Sequence, residues 1–361
     1  MNFTSDNIAG ASPEILRAIV EGNAGVAAPY GMDPWTAEAE GRLSAVFERE
    51  VASVLVATGT GSNALALAAL APPGTAVFCH LEAHVIEDEC GAPEFFTGGG
   101  KLVGIPGEGG KITPAGLEAA LARFPRGIVR QVQPAALSLS QVTEAGTLYT
   151  PEEIRVLCDM AHAAGLAVHM DGARFANAVA ALGVAPADIT WRAGVDVLSF
   201  GATKNGAIAC EAITFFDPAR VGDMLFRRKR GGHTVSKGRF LGTQMAAFLK
   251  DDHWLDLARH ANRAARRLAE GLAAVPGVRI PWRAEANEVF PILPAAVDDA
   301  LKAAGGRYYP WTTRSLPRQE APGPDERMVR LICAFDTEDE AVDAFVAEAA
   351  RAGAVQARRP I

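Results

Sequence analysis

Five cysteines, Cys79, Cys90, Cys158, Cys210 and Cys333, lie scattered along the chain with no C-x-x-C spacing. A structural zinc site and a disulfide framework are therefore not expected. The histidines other than His84 show no pair at metal-ligand spacing tied to a nearby acid, so no metal is assigned. No run approaches roughly twenty strongly apolar residues, which argues against a membrane span. The sequence begins polar, Met1-Asn2-Phe3-Thr4-Ser5-Asp6, without a basic stretch leading into an apolar one. There is no long basic block, and the net charge is −7, so a nucleic-acid partner is not indicated. A cytoplasmic protein in a reducing compartment is the expectation.

What is present is a large apolar fraction: 49% of the 361 residues are hydrophobic and 21% charged. That supports a large core and two domains. Strand-like runs occur at Val54–Ala57, Ala76–Cys79, Leu102–Ile105, Gly127–Val132 and Ala136–Leu139. Helical segments at Ser62–Leu70 and Pro114–Arg123 are interleaved with them. Thr150-Pro151-Glu152-Glu153 supplies a cap, a proline at the first helical position and early acids before Ile154–Ala164, which Gly165 ends. Such alternation predicts a mostly parallel sheet with helices on both faces. From Trp254 the texture changes to a long amphipathic helix (Trp254–Ala274). Short strands follow near Val278–Ile280, Glu288–Ile292 and Met328–Cys333, with helices at Ala295–Ala304 and Glu338–Ala350 and a Pro-rich loop at Ser315–Asp325. The expected architecture is α/β: a three-layer large domain over residues 1–250 and a smaller C-terminal α+β domain over residues 251–361. Residues 1–20 are expected to pack near the small domain.

Two residues concentrate the chemistry. Asp171 closes the apolar run from Leu166, and Lys204 follows the run Val195–Phe200 across Gly201-Ala202-Thr203. An acid and an amine at neighbouring strand ends suit pyridoxal phosphate. The amine forms a Schiff base with the aldehyde, and the acid keeps the pyridine nitrogen protonated. Alone, Asp171 reads as a helix cap and Lys204 as a solvated loop lysine. Thr58-Gly59-Thr60-Gly61, between a strand and a helix, suits a phosphate and equally suits a plain turn. His84, after the second strand, reads either as a loop histidine or as a ring-stacking, proton-exchanging group.

These segments together resemble the low-specificity L-threonine aldolases, pyridoxal phosphate enzymes of the aspartate-aminotransferase-type fold (fold type I). The likeness is carried by Ser5-Asp6-Asn7, Tyr30-Gly31-Met32-Asp33-Pro34, Thr58-Gly59-Thr60, His84, His169-Met170-Asp171-Gly172-Ala173-Arg174-Phe175 and Ser199 to Lys204. It implies that Lys204 holds the cofactor, Asp171 pairs with its ring nitrogen and His84 covers the ring. It also implies that Thr58, Gly59 and Thr60 bind the phosphate, with Arg174 and Lys229 near the cofactor. Ser5, Tyr30, Arg174 and Arg330 would hold the substrate, the arginines through its carboxylate. The activity implied is retro-aldol cleavage of L-threonine, L-allo-threonine and related β-hydroxy-α-amino acids to glycine and an aldehyde, with His84 or a water it holds as base. A homodimer or homotetramer with its site at the subunit interface is implied by the same likeness.

The chain departs from the family pattern in three places. Thr203 replaces a serine before Lys204, Thr143 stands where many members carry a second histidine, and Thr234–Arg239 are extra residues after the cationic run Arg227–Arg230. The identity of the base stays open on this reading. Rival readings are another activity on the same cofactor (β-elimination, racemisation or amino transfer), a cofactor-binding protein without turnover, and a nicotinamide oxidoreductase. The last lacks the G-x-G-x-x-G spacing and an acid closing the second strand.

Overall fold

The computed structural model describes residues 1–357; positions 358–361 of the expected C-terminal domain lie outside the described residues. Seven strands of the described chain form one sheet: β1 (Ala52–Val56), β2 (Thr75–His80), β3 (Lys101–Ile105), β4 (Gln133–Ser140), β5 (Ala167–Gly172), β6 (Val197–Gly201) and β7 (Glu211–Phe215). Their order is β1-β7-β6-β5-β4-β2-β3. Strands β2 to β6 pair parallel, and β7 runs antiparallel to both β6 and β1. β6 and β7 are buried along their whole length. Burial on both faces is why such strands read as apolar runs without alternation.

The helices of this half are α1 (Pro13–Gly22), α2 (Pro34–Val46), α3 (Gly59–Leu70), α4 (His84–Glu87), α5 (Ala92–Phe96), α6 (Pro114–Arg123), α7 (Pro151–Ala163), α8 (Phe175–Leu182), α9 (Met224–Arg230) and α10 (Arg239–Leu249). The Thr150 cap forms as expected, with Glu153 reaching back to the Thr150 amide as a full capping box. α1 and α2 carry the same signature, since Ser12 and Asp33 cap helices that begin at Pro13 and Pro34. α10 lies directly on α2, and Gly242 permits the contact. A Cβ there would sit 2.4 Å from the Thr36 backbone nitrogen.

After α11 (His253–Ala273) the chain builds a second, antiparallel sheet around β11 (Glu326–Ile332). The strands β8 (Glu288–Val289), β9 (Ile292–Pro294) and β10 (Tyr309–Pro310) all pair with it. Helices α12 (Ala295–Ala303) and α13 (Asp339–Ala357) cover it together with α11. Its core gathers Leu268, Leu272, Leu301, Leu331 and Phe345 around Phe3 from the start of the chain. The Phe3 amide donates to the Arg307 carbonyl (2.8 Å), and the Ile332 amide donates to the Phe3 carbonyl (3.0 Å). No helix among the described residues is long and apolar enough to cross a membrane.

Two expected strands are absent as such. Gly127–Val132 is a turn region that joins the sheet only at Gln133. Gly127 has φ +82°, Val129 is fully exposed, and the Gln133 side chain accepts from the Gly127 amide and donates to the Ile128 carbonyl. A β-branched run without a burial partner does not extend the sheet. Near Val278–Ile280 only Arg279 makes a bridge, to Ile292.

Candidate active site

The parallel strands end on one side of the sheet, and a cavity of about 510 Å³ opens there. Open α/β sheets bind ligands outside these carboxyl ends. Thr58, Gly59, Thr60, His84, Asp171, Arg174 and Lys204 all line it, together with Asn63, Glu144 and Glu211.

β5 delivers Asp171 to the cavity in a fully specified orientation. Its Oδ1 accepts the Ala173 amide (2.9 Å) and its Oδ2 accepts Asn63 Nδ2 (2.8 Å). Burial by itself would raise this carboxyl, but His84, the Ala173 amide, His169 and Lys204 outweigh it. The acid therefore stays below the usual carboxylate range, ionised at neutral pH. Asn63 also donates to Glu89 Oε1 (2.8 Å), so two carboxylates fix the orientation of its amide. Beneath them His169 spans three strands, bonded to Ser138 (2.9 Å) and Ser199 (3.0 Å). Burial drives its pKa down to about 4, so it is a neutral bridge.

Lys204 belongs to the β6–β7 connection, whose strands meet at Gly201 opposite Glu211. The reversed strand thus closes a short loop and returns Lys204 to the mouth of the sheet. Thr203 Oγ1 accepts the Cys210 amide (3.1 Å), and Glu211 Oε2 accepts the Ala202 amide (3.0 Å). Among the described residues no ion pair engages Lys204. Burial pushes the Glu211 carboxyl up to about 7, against the Thr203 hydroxyl and Ala202 amide.

Thr58 caps α3, its Oγ1 accepting the Gly61 amide (3.0 Å). The first amides of a helix have no intrahelical carbonyl to reach, and the dipole adds positive potential there. A Cβ on Gly59 would meet nothing within 4 Å, so this end of α3 is open to the cavity. Gly61 is a glycine for another reason: a Cβ there would lie 2.2 Å from the His233 ring.

His84 opens α4, with its Nδ1 2.9 Å from Glu89 Oε1. The Glu89 hydrogen bond dominates over burial and raises the imidazole pKa. Glu89 itself is pushed up by burial.

A second cluster combines side chains from distant parts of the chain. Arg174 forms a two-pronged pair with Asp6, Nε to Oδ2 at 2.7 Å and Nη2 to Oδ1 at 3.0 Å, and its Nη1 lies 3.6 Å from Glu288 Oε2. Asn287 also donates to Asp6 Oδ2 (3.1 Å). Asp6 stays below the usual range because Arg174, then Lys204, overcome its burial. Arg330 lies over the Trp311 ring at 4.2 Å, with its Nε buried and without a partner. Burial lowers its pKa, while Glu288 opposes the shift.

Arg330 is not on the cavity lining but shares this charge cluster. Ser5 lies outside the lining too; its Oγ accepts the Asn7 amide (3.1 Å), and it is Asn7 that reaches the cavity. Tyr30 and Lys229 sit together, the ammonium 5.5 Å from the ring centre, on a half-exposed surface away from this cavity. Thr143 is buried in a turn. Its hydroxyl accepts the Ala145 and Thr147 amides and lies 3.0 Å from the Gly109 carbonyl, while the adjacent Glu144 faces the cavity.

Reading the sequence missed Asn63, Glu89, Glu144, Glu211, Asp6 and Glu288 as site residues. Asp6 and Glu144 fall within segments already notable in the sequence, but nothing in their spacing marks them. Asn63 and Glu89 are brought together only by the fold.

Known proteins agree with this architecture. Residues 2–296 match the family described as beta-eliminating lyase. The chain is 43% identical to a low specificity L-threonine aldolase of Pseudomonas aeruginosa over 341 residues, covering 94% of each protein. It is 39% identical to the enzyme of that name from a Pseudomonas species over 347 residues, 96% of each. A solved threonine aldolase structure from Leishmania major superimposes with a TM-score of 0.89 at 29% identity, covering 98% of this chain and 99% of that one. With its fold, cavity and near-full-length likeness all in agreement, this chain belongs to the beta-eliminating lyase family and, within it, to the low specificity L-threonine aldolases.

Proposed function

We propose that the protein is a pyridoxal-phosphate-dependent aldehyde-lyase. It cleaves L-threonine, L-allo-threonine and related β-hydroxy-α-amino acids to glycine and an aldehyde. The observation that carries this reading is the convergence of Lys204, an ionised Asp171 and the open N-terminus of α3 on one cavity, in a chain 43% identical to a protein of that activity.

The residues fit the cofactor. Lys204 offers an amine without an ion-pair partner, Asp171 a buried carboxylate for a protonated ring nitrogen, and Thr58, Gly59 and Thr60 a helix start with open space for a phosphate. When bound, pyridoxal phosphate supplies an electron sink for the pair left on Cα as the Cα–Cβ bond breaks. The chain does the rest. Asp171 stabilises positive charge at the ring nitrogen, and His84 provides the wall against the ring. Arg174 and Arg330 would orient the substrate carboxylate and so select which bond at Cα is positioned to break. The Ser5 segment serves through Asn7 on the cavity wall.

We read residues 1–250 as the cofactor domain and the remainder as the small domain, with the N-terminal segment docked on the latter through Phe3. Tyr30 and Lys229 are proposed to serve the site of a second copy in a homodimer or homotetramer. Their shared, half-exposed position away from the cavity of their own chain supports this.

The test is borohydride reduction of the yellow purified protein, with peptide mapping and product analysis. A label on the Lys204 peptide, with glycine and acetaldehyde formed from L-threonine, is expected. A label on another amine would overturn the cofactor assignment. Pyruvate from serine or α-ketobutyrate from threonine as the main product would favour β-elimination, the chemistry in the family's description. Sedimentation of the same preparation tests the assembly, and a monomer would refute it.

A further inference from the structure

Retro-aldol cleavage requires an acceptor for the β-hydroxyl proton, and three titratable groups on the cavity wall come into question: His84, Glu144 and Glu211, the last already engaged by the Ala202 amide in the loop that carries Lys204. They are not equivalent. His84 is hydrogen-bonded through Nδ1 to Glu89, which stabilises its cationic form. An imidazole already holding that proton is a poor acceptor on its other nitrogen. Glu144 has the opposite character, since burial pushes its carboxyl up to about 7. A group with a pKa near the working pH is both available as the base and strong enough to use.

Geometry places Glu144 for the task. The turn after β4 closes through the Thr143 amide to the Thr147 carbonyl (3.0 Å) and the Gly146 amide to the Thr143 carbonyl (2.9 Å). The Thr143 hydroxyl braces the same turn, so the next side chain is directed into the cavity from a rigid support. Glu144 Oε1 accepts the His84 backbone amide (3.2 Å), and no hydrogen bond among the described residues reaches Oε2. Asp171 and Glu288 face this carboxylate and favour its protonation, whereas His84 and Lys204 oppose it. Arg174 and Arg330, assigned to the substrate carboxylate, feel the same charge. Glu144 therefore shares the cavity wall with Asp171, Lys204 and Arg174 and feels the charges of both groups of residues.

We infer that Glu144 is the catalytic base of the cleavage, accepting the β-hydroxyl proton on Oε2; the inference rests on the aldolase reading. The O–H bond breaks and its electron pair becomes the second C–O bond of the aldehyde. The Cα–Cβ pair passes to Cα, and the proton resides on Glu144. A proton from solvent delivered to Cα completes glycine, and Glu144 returns the β-hydroxyl proton to solvent, so the cleavage is proton-neutral. His84, whose cationic form the Glu89 hydrogen bond favours, lends positive potential beside the acceptor.

Glu144→Gln keeps the shape and the bond to the His84 amide, so it isolates the proton-accepting role. With L-threonine, kcat should fall about 100-fold or more with KM changed little, the scale of a lost general base. The loss of kcat as pH drops below about 7 should vanish in the variant. Exchange of the glycine α-hydrogen with deuterated solvent involves no β-hydroxyl and should be unchanged. Infrared titration of the protein provides a readout independent of turnover: the difference between wild type and variant should be the loss of one carboxyl titrating near 7. Retained kcat with an unchanged acid limb would overturn the inference. So would a parallel loss of glycine exchange, because it would mark a general disturbance. Absence of glycine exchange in the wild type would instead sink the cofactor reading, and the base assignment with it.

Discussion

The two walls of the cavity are made differently. On the cofactor side, Asp171, Lys204 and the α3 start follow the ends of β5, β6 and β1 of one sheet, and both Asp171 oxygens are engaged by hydrogen bonds. Behind Arg174, on the side proposed for the substrate, Arg174 and Arg330 meet Asp6 and Glu288 from four distant stretches of chain. Here charge is balanced by ion pairs, and Arg330 Nε and Glu288 Oε2 lack hydrogen-bond partners. One wall is preorganised by the sheet; the other is a negotiation between arginines and internal carboxylates that an incoming carboxylate must enter.

Substitutions that separate the two walls follow from this contrast. The largest effect belongs to the cofactor wall. Asp171→Asn retains the shape but not the charge, and should lower kcat by roughly 100- to 1000-fold, the scale of one lost preorganised electrostatic partner. Steady-state kinetics and the cofactor absorption spectrum measure it, and a change confined to KM would erase the distinction drawn between the walls. An intermediate effect is expected at Asp6→Ala, which strips a buried arginine of its two-pronged partner and should cost about 3 kcal/mol of stability. Denaturant midpoints report the cost, while KM for L-threonine should shift more than kcat. If cofactor absorption shifted instead, the walls would not be separable. The smallest effect should come from Thr143→Val, which removes the hydroxyl bracing the turn under Glu144. About 1 kcal/mol is expected, as for a buried hydrogen bond lost; no change in the thermal midpoint would mean the turn holds without it.

The same contrast explains what was legible in the sequence. Asp171 and Lys204 lie at the ends of apolar runs, so strand periodicity and the local turn locate them. The pairing of Arg174 with Asp6 spans 168 positions and that of Asn287 with Asp6 spans 281, and no local pattern reports either. Glu144 was hidden by its neighbour, since the family likeness drew attention to Thr143, a turn residue. Among the helices, α7 was readable because its capping box precedes a broad apolar stripe. α2 has an equally good Asp33-Pro34 start but buries only Thr36, Ala39 and Leu43, so periodicity gave little sign of it. Gly127–Val132 failed in the opposite sense: the right residue types, with Val129 facing water.

The docking of Phe3 on the small sheet has a mechanical result. Phe3 and Asp6 are three residues apart, a tether of about 10 Å at full stretch. Its near end is stitched to Ile332, two positions beyond Arg330, and its far end grips Arg174, just past the end of β5. The tether is short, so a tilt of the small sheet would act on Arg330 and Asp6 together. The carboxylate grip proposed for the two arginines would thereby be geared to the angle between the two sheets.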